Sequence, residues 1–519
     1  MSKFLKWLDD HILEYFSLAL LIFIPLYPKI PIAEVLPGYL VRLRLDDILI
    51  ALAFLVWVIW VIRKKVTLSK NPLLIPIAIY ILVGFISTLS AMFITKTVPL
   101  ETLHVAKLYL HFFRRIEYFS VFFILFSSIK SLDQVKKYIY IAAIVLILVS
   151  VYGFGQKYLY WPAYSTMNRE FSKGVRLYLT EHARVLSTFG GHYDLAAYLM
   201  IALTLFIPLA FIVGKWLLKI LFAVGSLLGF WLLILTVSRT SFLAYLVSIT
   251  VVFVFLALKK GWLWSFPRWF AVIFLSLVIM VSFGDLAGRF AHVLKVDKFK
   301  NSSLLKPLLK SVPSGPQTAY LDIVADKTDV PPSLEKPGEG QRPADVYDEI
   351  GEEGLPASLS AKPRVYSQAA VQYDLSTGIR LDSTWPQAIK GFSRNPVLGS
   401  GYSTLTKQHV EDFTDAESTD NDFLRALGET GLAGFLAFYG ILAFVVWYAV
   451  KNFKKVKDPF AFAVVAGLIG VIIGLLINAF YIDVFEASKV AYTFWIMMAI
   501  LLATIRFSET SSKAKKSTG

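Results

Sequence analysis

Apolar runs of about twenty residues recur along the whole chain, separated by short polar segments. A helix needs about that length to cross the roughly 30 Å hydrocarbon core of a bilayer. The pattern predicts twelve membrane helices, over 12–30, 46–62, 73–94, 105–129, 135–154, 192–213, 216–237, 239–258, 268–285, 423–450, 459–481 and 489–506. The amino terminus carries Lys3 and Lys6 ahead of an apolar run at Phe16–Leu26, which has the outline of a signal peptide. No small-residue cleavage site follows in "PLYPKIPIAEVLPGY", so the run is read as a retained first helix.

The loops fall into two alternating classes. "RKKVTLSK" (63–70), "KSLDQVKK" (130–137), "GKWLLK" (214–219), "KKGWLWSFPR" (259–268), "KNFKKVK" (451–457) and the tail "SSKAKKSTG" are short and basic. Short basic loops stay in the cytoplasm, so both termini are expected there. The other class faces outward and contains two long segments, about 155–191 and 286–422. The expectation is an all-α polytopic membrane protein of about 12 transmembrane helices, with a large extracytoplasmic loop between helices 9 and 10. Its parts are helices 1–9 in 1–285, the loop in 286–422, helices 10–12 in 423–506 and a cytoplasmic tail in 507–519.

Within the loop, residues 300–365 hold nine of the chain's 22 prolines and many acidic residues, a composition that reads as a flexible insertion. Order is expected to return over about 376–395. There "GIRLDSTWPQAIKGF" spaces Leu381, Trp385, Ile389 and Phe392 as an amphipathic helix lying on the membrane.

Composition narrows the chemistry. The 519 residues are 56% hydrophobic and 17% charged, against about 25% charged in soluble domains. There are no cysteines, which excludes disulfides, zinc thiolates and Cys nucleophiles. The formal charge of +15 sits mainly in the short loops, where it sets topology and gives no reason to expect nucleic acid. There is no internal repeat, and no dinucleotide fingerprint, Walker A loop, H-E-x-x-H or G-x-S-x-G. Neither a metal nor a cofactor is expected.

Several polar residues need a reason. Arg239 interrupts "LLILTVSRTSFLAYL" at the predicted outer boundary, either as an interfacial residue or as an anion ligand. Arg380 lies on the returning amphipathic segment, and the outer segment 155–191 adds Arg169, Arg176 and Arg184. Guanidinium binds phosphate oxygens bidentately and keeps its proton, so outward arginines suit an anionic substrate. "STDNDFLRALGETGLAGFLAF" opens the tenth helix. Thr419, Asp420 or Asn421 is its N-cap, Gly431 a later interruption, and a carboxylate at that mouth is also placed to act as a general base. His192 and His409 face outward as interfacial or loop histidines, with Asp422 a further alternative base. His104 and His111 lie two turns apart near Arg114, Arg115 and Glu117, a structural polar network.

From Arg184 to the last helix the chain resembles the O-antigen ligase and polymerase superfamily of bacterial membrane glycosyltransferases. The resemblance rests on "RVLSTFGGHYDLAAYLMIALTLFIPLAF", "LTVSRTSFLAYL", "GIRLDSTWPQAIKGFSRNPVLGSGYSTL" and "STDNDFLRALGETGLAGFLAFYGIL", in that order around a large loop. It implies an all-helical bundle in the bacterial cytoplasmic membrane, with the active face extracytoplasmic. It also implies transfer of a glycan from a polyprenyl diphosphate carrier to an acceptor hydroxyl on a glycan, lipid or protein. Arg239 and Arg380 match the arginines that hold the diphosphate, with Arg184, Arg176, Asn421, His409 and His192 as further binding candidates. Ligases of the family carry a histidine directly before the residue matching Asn421. Here that position is Asp420, which favours a polymerase over a ligase and makes Asp420 the expected base and helix cap. A transporter is the alternative of another class, but the link between helices 6 and 7 is only "GKWLLK" and the large loop is external.

Overall fold

The computed structural model describes residues 3–36, 41–68, 71–167, 171–180, 183–282, 380–405 and 419–517. In chain order the elements are α1 (Lys3–Leu26), β1 (Pro31–Glu34), β2 (Arg42–Arg44), α2 (Leu45–Ile62), α3 (Leu74–Phe93), α4 (Thr102–Ser128) and α5 (Leu132–Tyr158). Then come α6 (His192–Ile212), α7 (Trp216–Leu235), α8 (Arg239–Lys260) and α9 (Trp262–Ser282). A π-helical turn at Arg380–Thr384 leads into α10 (Trp385–Arg394), followed by α11 (Asp422–Phe453), α12 (Pro459–Asn478) and α13 (Ser488–Ser517). Each of the twelve runs predicted to cross the membrane is a helix. Among the described residues ten helices are long and apolar enough to span: α2, α3, α5 to α9, and α11 to α13. The other two are interrupted by charge, α1 by Asp9, Asp10 and Glu14, and α4 by Lys107, Arg114, Arg115 and Glu117.

Several features differ from expectation, among them the end of the last helix, which runs to Ser517 rather than 506. The first helix stops at Leu26 rather than 30, where the chain runs through Pro28 and Pro31 into β1. β1 and β2 form an antiparallel pair (Ala33 opposite Leu43, Glu34 opposite Arg42) that the apolar pattern did not announce. The segment 259–268, read as a loop, is mostly helix. Gly261, with φ of +84°, ends α8, and α9 starts at the next residue. The insertion predicted at 300–365 lies outside the described residues.

The chain divides into two compact units. Unit 1 holds Met1–Tyr27, Pro31–Ala142 and Ser367–Gly519, and unit 2 holds Pro28–Ile30 and Ala143–Tyr366. In unit 2, α6 packs on α7 and α8, and α8 on α9. The segment ahead of α6 is stitched down by buried side chains. Gln156 Nε2 donates to Ser187 O (2.8 Å), and Ser187 Oγ donates to Val149 O (2.7 Å).

Unit 1 has two chemically distinct ends. At one, the acidic start of α1 meets the basic loops: Arg63 bonds Asp9 through both oxygens (2.6 and 2.8 Å), Lys65 pairs with Asp9 and Asp10, and Lys137 with Glu14. At the other, buried Lys489 donates to Tyr27 O (2.5 Å) and Pro25 O (3.2 Å), closing the carbonyl end of α1 from the start of α13. The basic loops 63–70 and 130–137 therefore meet the amino-terminal end of α1.

The most consequential local feature is a break in α11. Gly431 adopts φ 64°, ψ −168°, a conformation open essentially to glycine alone. The break frees backbone groups that must be satisfied inside the apolar core. The turn segment 396–401 supplies them. Ser400 N donates to Gly428 O (2.9 Å) and Gly401 N to Glu429 O (2.8 Å), while Leu432 N donates to Pro396 O (2.8 Å) and Ala433 N to Val397 O (3.1 Å). A Cβ on Gly399 would overlap the Glu429 backbone, and one on Gly431 the Val397 backbone, so both glycines are required.

Candidate functional site

The site in unit 1 grows from the polar knot that opens α11. Asp420 is not the cap expected from the sequence. Its backbone is left-handed (φ +50°), whereas an N-cap takes an extended conformation. Asn421 has that conformation (φ −162°), and its side chain accepts from Leu424 N at 3.0 Å. With capping assigned to Asn421, the Asp420 carboxylate is turned to another partner. It meets the guanidinium of Arg380, Oδ2 to Nη2 at 3.1 Å. Arg380 is buried (6% of its side chain exposed) while Asp420 is open to solvent (37%).

The connection between α12 and α13 holds both partners. Arg380 Nη2 donates to Tyr481 O (3.0 Å), and its guanidinium lies over the Tyr481 ring. Asp483 takes Asn421 N (2.8 Å) and Thr419 Oγ1 (3.0 Å) on Oδ1, and Thr419 N (3.0 Å) and Arg425 Nη1 (2.9 Å) on Oδ2. Asp422 N donates to Ala479 O, and Asp422 Oδ2 accepts from Phe485 N (3.1 Å). The residues either side of Asp420 are thus fixed, and Asp420 is presented between them.

Beneath this knot runs a buried ionic ladder that the sequence reading missed. Arg425 pairs with Glu429 one turn along α11 (3.3 Å) as well as with Asp483. Arg115 of α4 pairs with Glu486 and with Glu429 (3.6 Å). Glu429 Oε1 also accepts Ser403 N at 3.0 Å, tying the ladder to the segment that fills the helix break. Tyr402 of that segment lies over Arg115, 5.3 Å from guanidinium to ring centre, and burial pushes its phenol well above the ordinary value, so it stays neutral. Arg115, Tyr402, Arg425, Glu429 and Glu486, with Asp422, Tyr80 and Tyr439, line a cavity of about 30 Å³, room for one water. The available signal was the placement of Arg425 and Glu429 at i,i+4 within an apolar helix, since ionisable residues at membrane depth are costly and rarely idle. The network expected around Glu117 divides. Arg114 bonds Asp47 (2.6 Å), Glu117 and Tyr492 (2.8 Å each), His104 pairs with Glu101 (3.3 Å), and Arg115 faces the ladder instead.

The amphipathic segment is present as the π-helical turn carrying Arg380 and as α10. Its small residues Ala388 and Gly391 are buried, and α10 packs on α11. Leu381 and Ile389 are exposed.

Unit 2 holds the remaining candidates. Val237 (φ +52°) turns the chain after α7, Ser238 caps α8, and half-buried Arg239 is its first residue. Arg184 and His192 meet, Nη1 to Nε2 at 2.8 Å. Arginine only donates, so Nε2 accepts and the imidazole carries its proton on Nδ1. His192 opens α6 and is buried, while Arg176 is exposed. His409 and Arg169 lie outside the described residues.

A polytopic helical membrane protein with paired arginine and carboxylate at a helix mouth is the class these observations define. Residues 224–439 match the family model described as O-antigen ligase, which shows the resemblance to the O-antigen ligase and polymerase superfamily over that stretch. The match takes in Arg239, Arg380, Asp420, Asn421, Arg425 and Glu429, and ends before Asp483 and Glu486. A search of curated proteins gives no match.

Proposed function

We propose that this ligase- or polymerase-type membrane enzyme polymerises O-antigen or exopolysaccharide repeat units at the outer face of the bacterial cytoplasmic membrane. The donor is a glycan on polyprenyl diphosphate. The ion pair between Arg380 and Asp420 at the mouth of α11 carries this reading. The acceptor hydroxyl oxygen attacks the anomeric carbon. The bond from that carbon to the diphosphate oxygen breaks, its electron pair leaves with the diphosphate, and the hydroxyl proton passes to the Asp420 carboxylate. Diphosphate is already a good leaving group, so the protein's task is to meet its charge. Arg380 does so as a bidentate donor, with Asn421 and His409 as candidates for holding the donor; the resemblance gives Arg239 the same diphosphate role, with Arg184, Arg176 and His192 as further binding candidates. A single displacement inverts the anomeric centre. The observed pair adds a coupling: Asp420 is engaged by Arg380 until an anionic donor takes the guanidinium, so donor arrival breaks this ion pair.

Asp420→Asn tests the base directly, because Asn421 caps the helix and asparagine tolerates the left-handed backbone. With purified protein in liposomes and a polyprenyl-diphosphate repeat unit as donor, both Asp420→Asn and Arg380→Lys are expected to lower turnover by ~10²-fold or more. Parent-rate polymerisation by Asp420→Asn would send the search for the base to His409, His192 and Asp422. The family description favours a second reading, a ligase that attaches finished glycan to a lipid or protein. Deleting the gene separates the two: single repeat units left on the carrier mean polymerase, and full-length unattached chains mean ligase.

A further inference from the structure

We propose that Asp483 is the positioning residue of this site, acting through Asp420 without touching substrate. The inference rests on the reading of Asp420 as base. The left-handed backbone of Asp420 is uncommon for a residue with a side chain and persists where the surroundings impose it. Asp483 imposes it. Its two oxygens receive the backbone N–H groups on both sides of Asp420, those of Thr419 and Asn421, together with the Thr419 hydroxyl. The same carboxylate takes Arg425 Nη1, which anchors it to the ladder below. It is buried, so its oxygens serve the protein and not a substrate. Two residues earlier on the same connection, Tyr481 O receives Arg380. One short connection therefore sets the separation of the base and the arginine that the donor must engage, with Asp483 fixing the base side.

Asp483→Asn keeps the shape and one acceptor oxygen. It turns an amide NH₂ toward either the Thr419 and Arg425 donors or the Asn421 and Thr419 hydroxyl donors, so the turn loosens on one side. A displaced catalytic group costs up to ~10²-fold in rate. Asp483→Asn is expected to lower kcat by ~10- to 100-fold with the donor KM within about twofold of parent. The deciding measurement is the double variant. If Asp483 acts only through Asp420, then Asp483→Asn added to Asp420→Asn lowers kcat no further, whereas independent roles multiply. Multiplying effects, or parent kcat in Asp483→Asn, would overturn the proposal even with Asp420 established as base. Parent kcat in Asp420→Asn would instead refute the underlying reading, and the proposal with it. Should Asp483→Asn fail to insert, Thr419→Val carries the test. It removes the hydroxyl that contacts Asp483 and Asn421 O (3.1 Å) while sparing both N–H bonds to Asp483, with an expected fall of ~3- to 10-fold that Asp420→Asn abolishes, and an unchanged kcat overturns the proposal.

Discussion

Gly431→Ala against Gly440→Ala probes the break in α11, because the two glycines share one helix and differ in backbone conformation and surroundings. At Gly431 the backbone sits at φ 64°, ψ −168°, and an added Cβ would strike the Val397 carbonyl and approach Gly399 N at 2.6 Å. At Gly440 nothing lies within 4 Å of the added atom. Holding an alanine in a glycine-only conformation costs about 1–3 kcal/mol. The clash also pushes away the segment whose hydrogen bonds to Gly428, Glu429, Leu432 and Ala433 fill the break, each worth about 1 kcal/mol. With two of those bonds lost, the expected penalty is about 3–5 kcal/mol. Gly440→Ala should be neutral or stabilising by up to about 1 kcal/mol, alanine being the better helix former. Unfolding both variants from mixed micelles by titrating denaturing detergent, followed by tryptophan fluorescence, measures the difference. A Gly431→Ala variant within about 1 kcal/mol of Gly440→Ala would refute a helix broken and refilled at this point.

Glu429→Gln keeps an acceptor for Ser403 N but removes the charge shared by Arg115 and Arg425. It should cost about 1.5–3 kcal/mol in the same titration, the range of hydrogen bonds to charged groups. Asp9 is held down to about 2 by its bonds to Arg63 and then Lys65, below the ordinary 3.8. A depressed carboxylate stabilises above its unfolded value and loses that effect as pH falls through the folded one. The melting difference between parent and Asp9→Asn should therefore be constant from pH 7 to pH 5 and vanish between about pH 4 and 2. Single cysteines are informative in this Cys-free chain: those replacing Lys64, Lys260 and Lys455 should label from the cytoplasmic side, and those within 300–365 from outside. Cytoplasmic labelling of 300–365 would sink the outer-face reading of the enzyme.

The number, order and approximate ends of the twelve long helices were legible in the sequence, because lipid demands about twenty apolar residues wherever a helix crosses. Local rules also served where the cause is local. The charge of Arg239 between two apolar runs marked the start of α8, and Gly431 marked an interruption in α11. The choice of Asn421 over Asp420 as cap was not legible, since either side chain can cap in isolation. Asp483, more than sixty residues away, settles it by taking the N–H groups that force Asp420 into the left-handed turn. The pairing of Arg115 with Glu429 and Glu486 was hidden for the same reason. Composition reveals that a charge sits at membrane depth and must be neutralised, but the partner comes from another helix, and only packing of α4, α11 and the α12–α13 connection brings the two within reach.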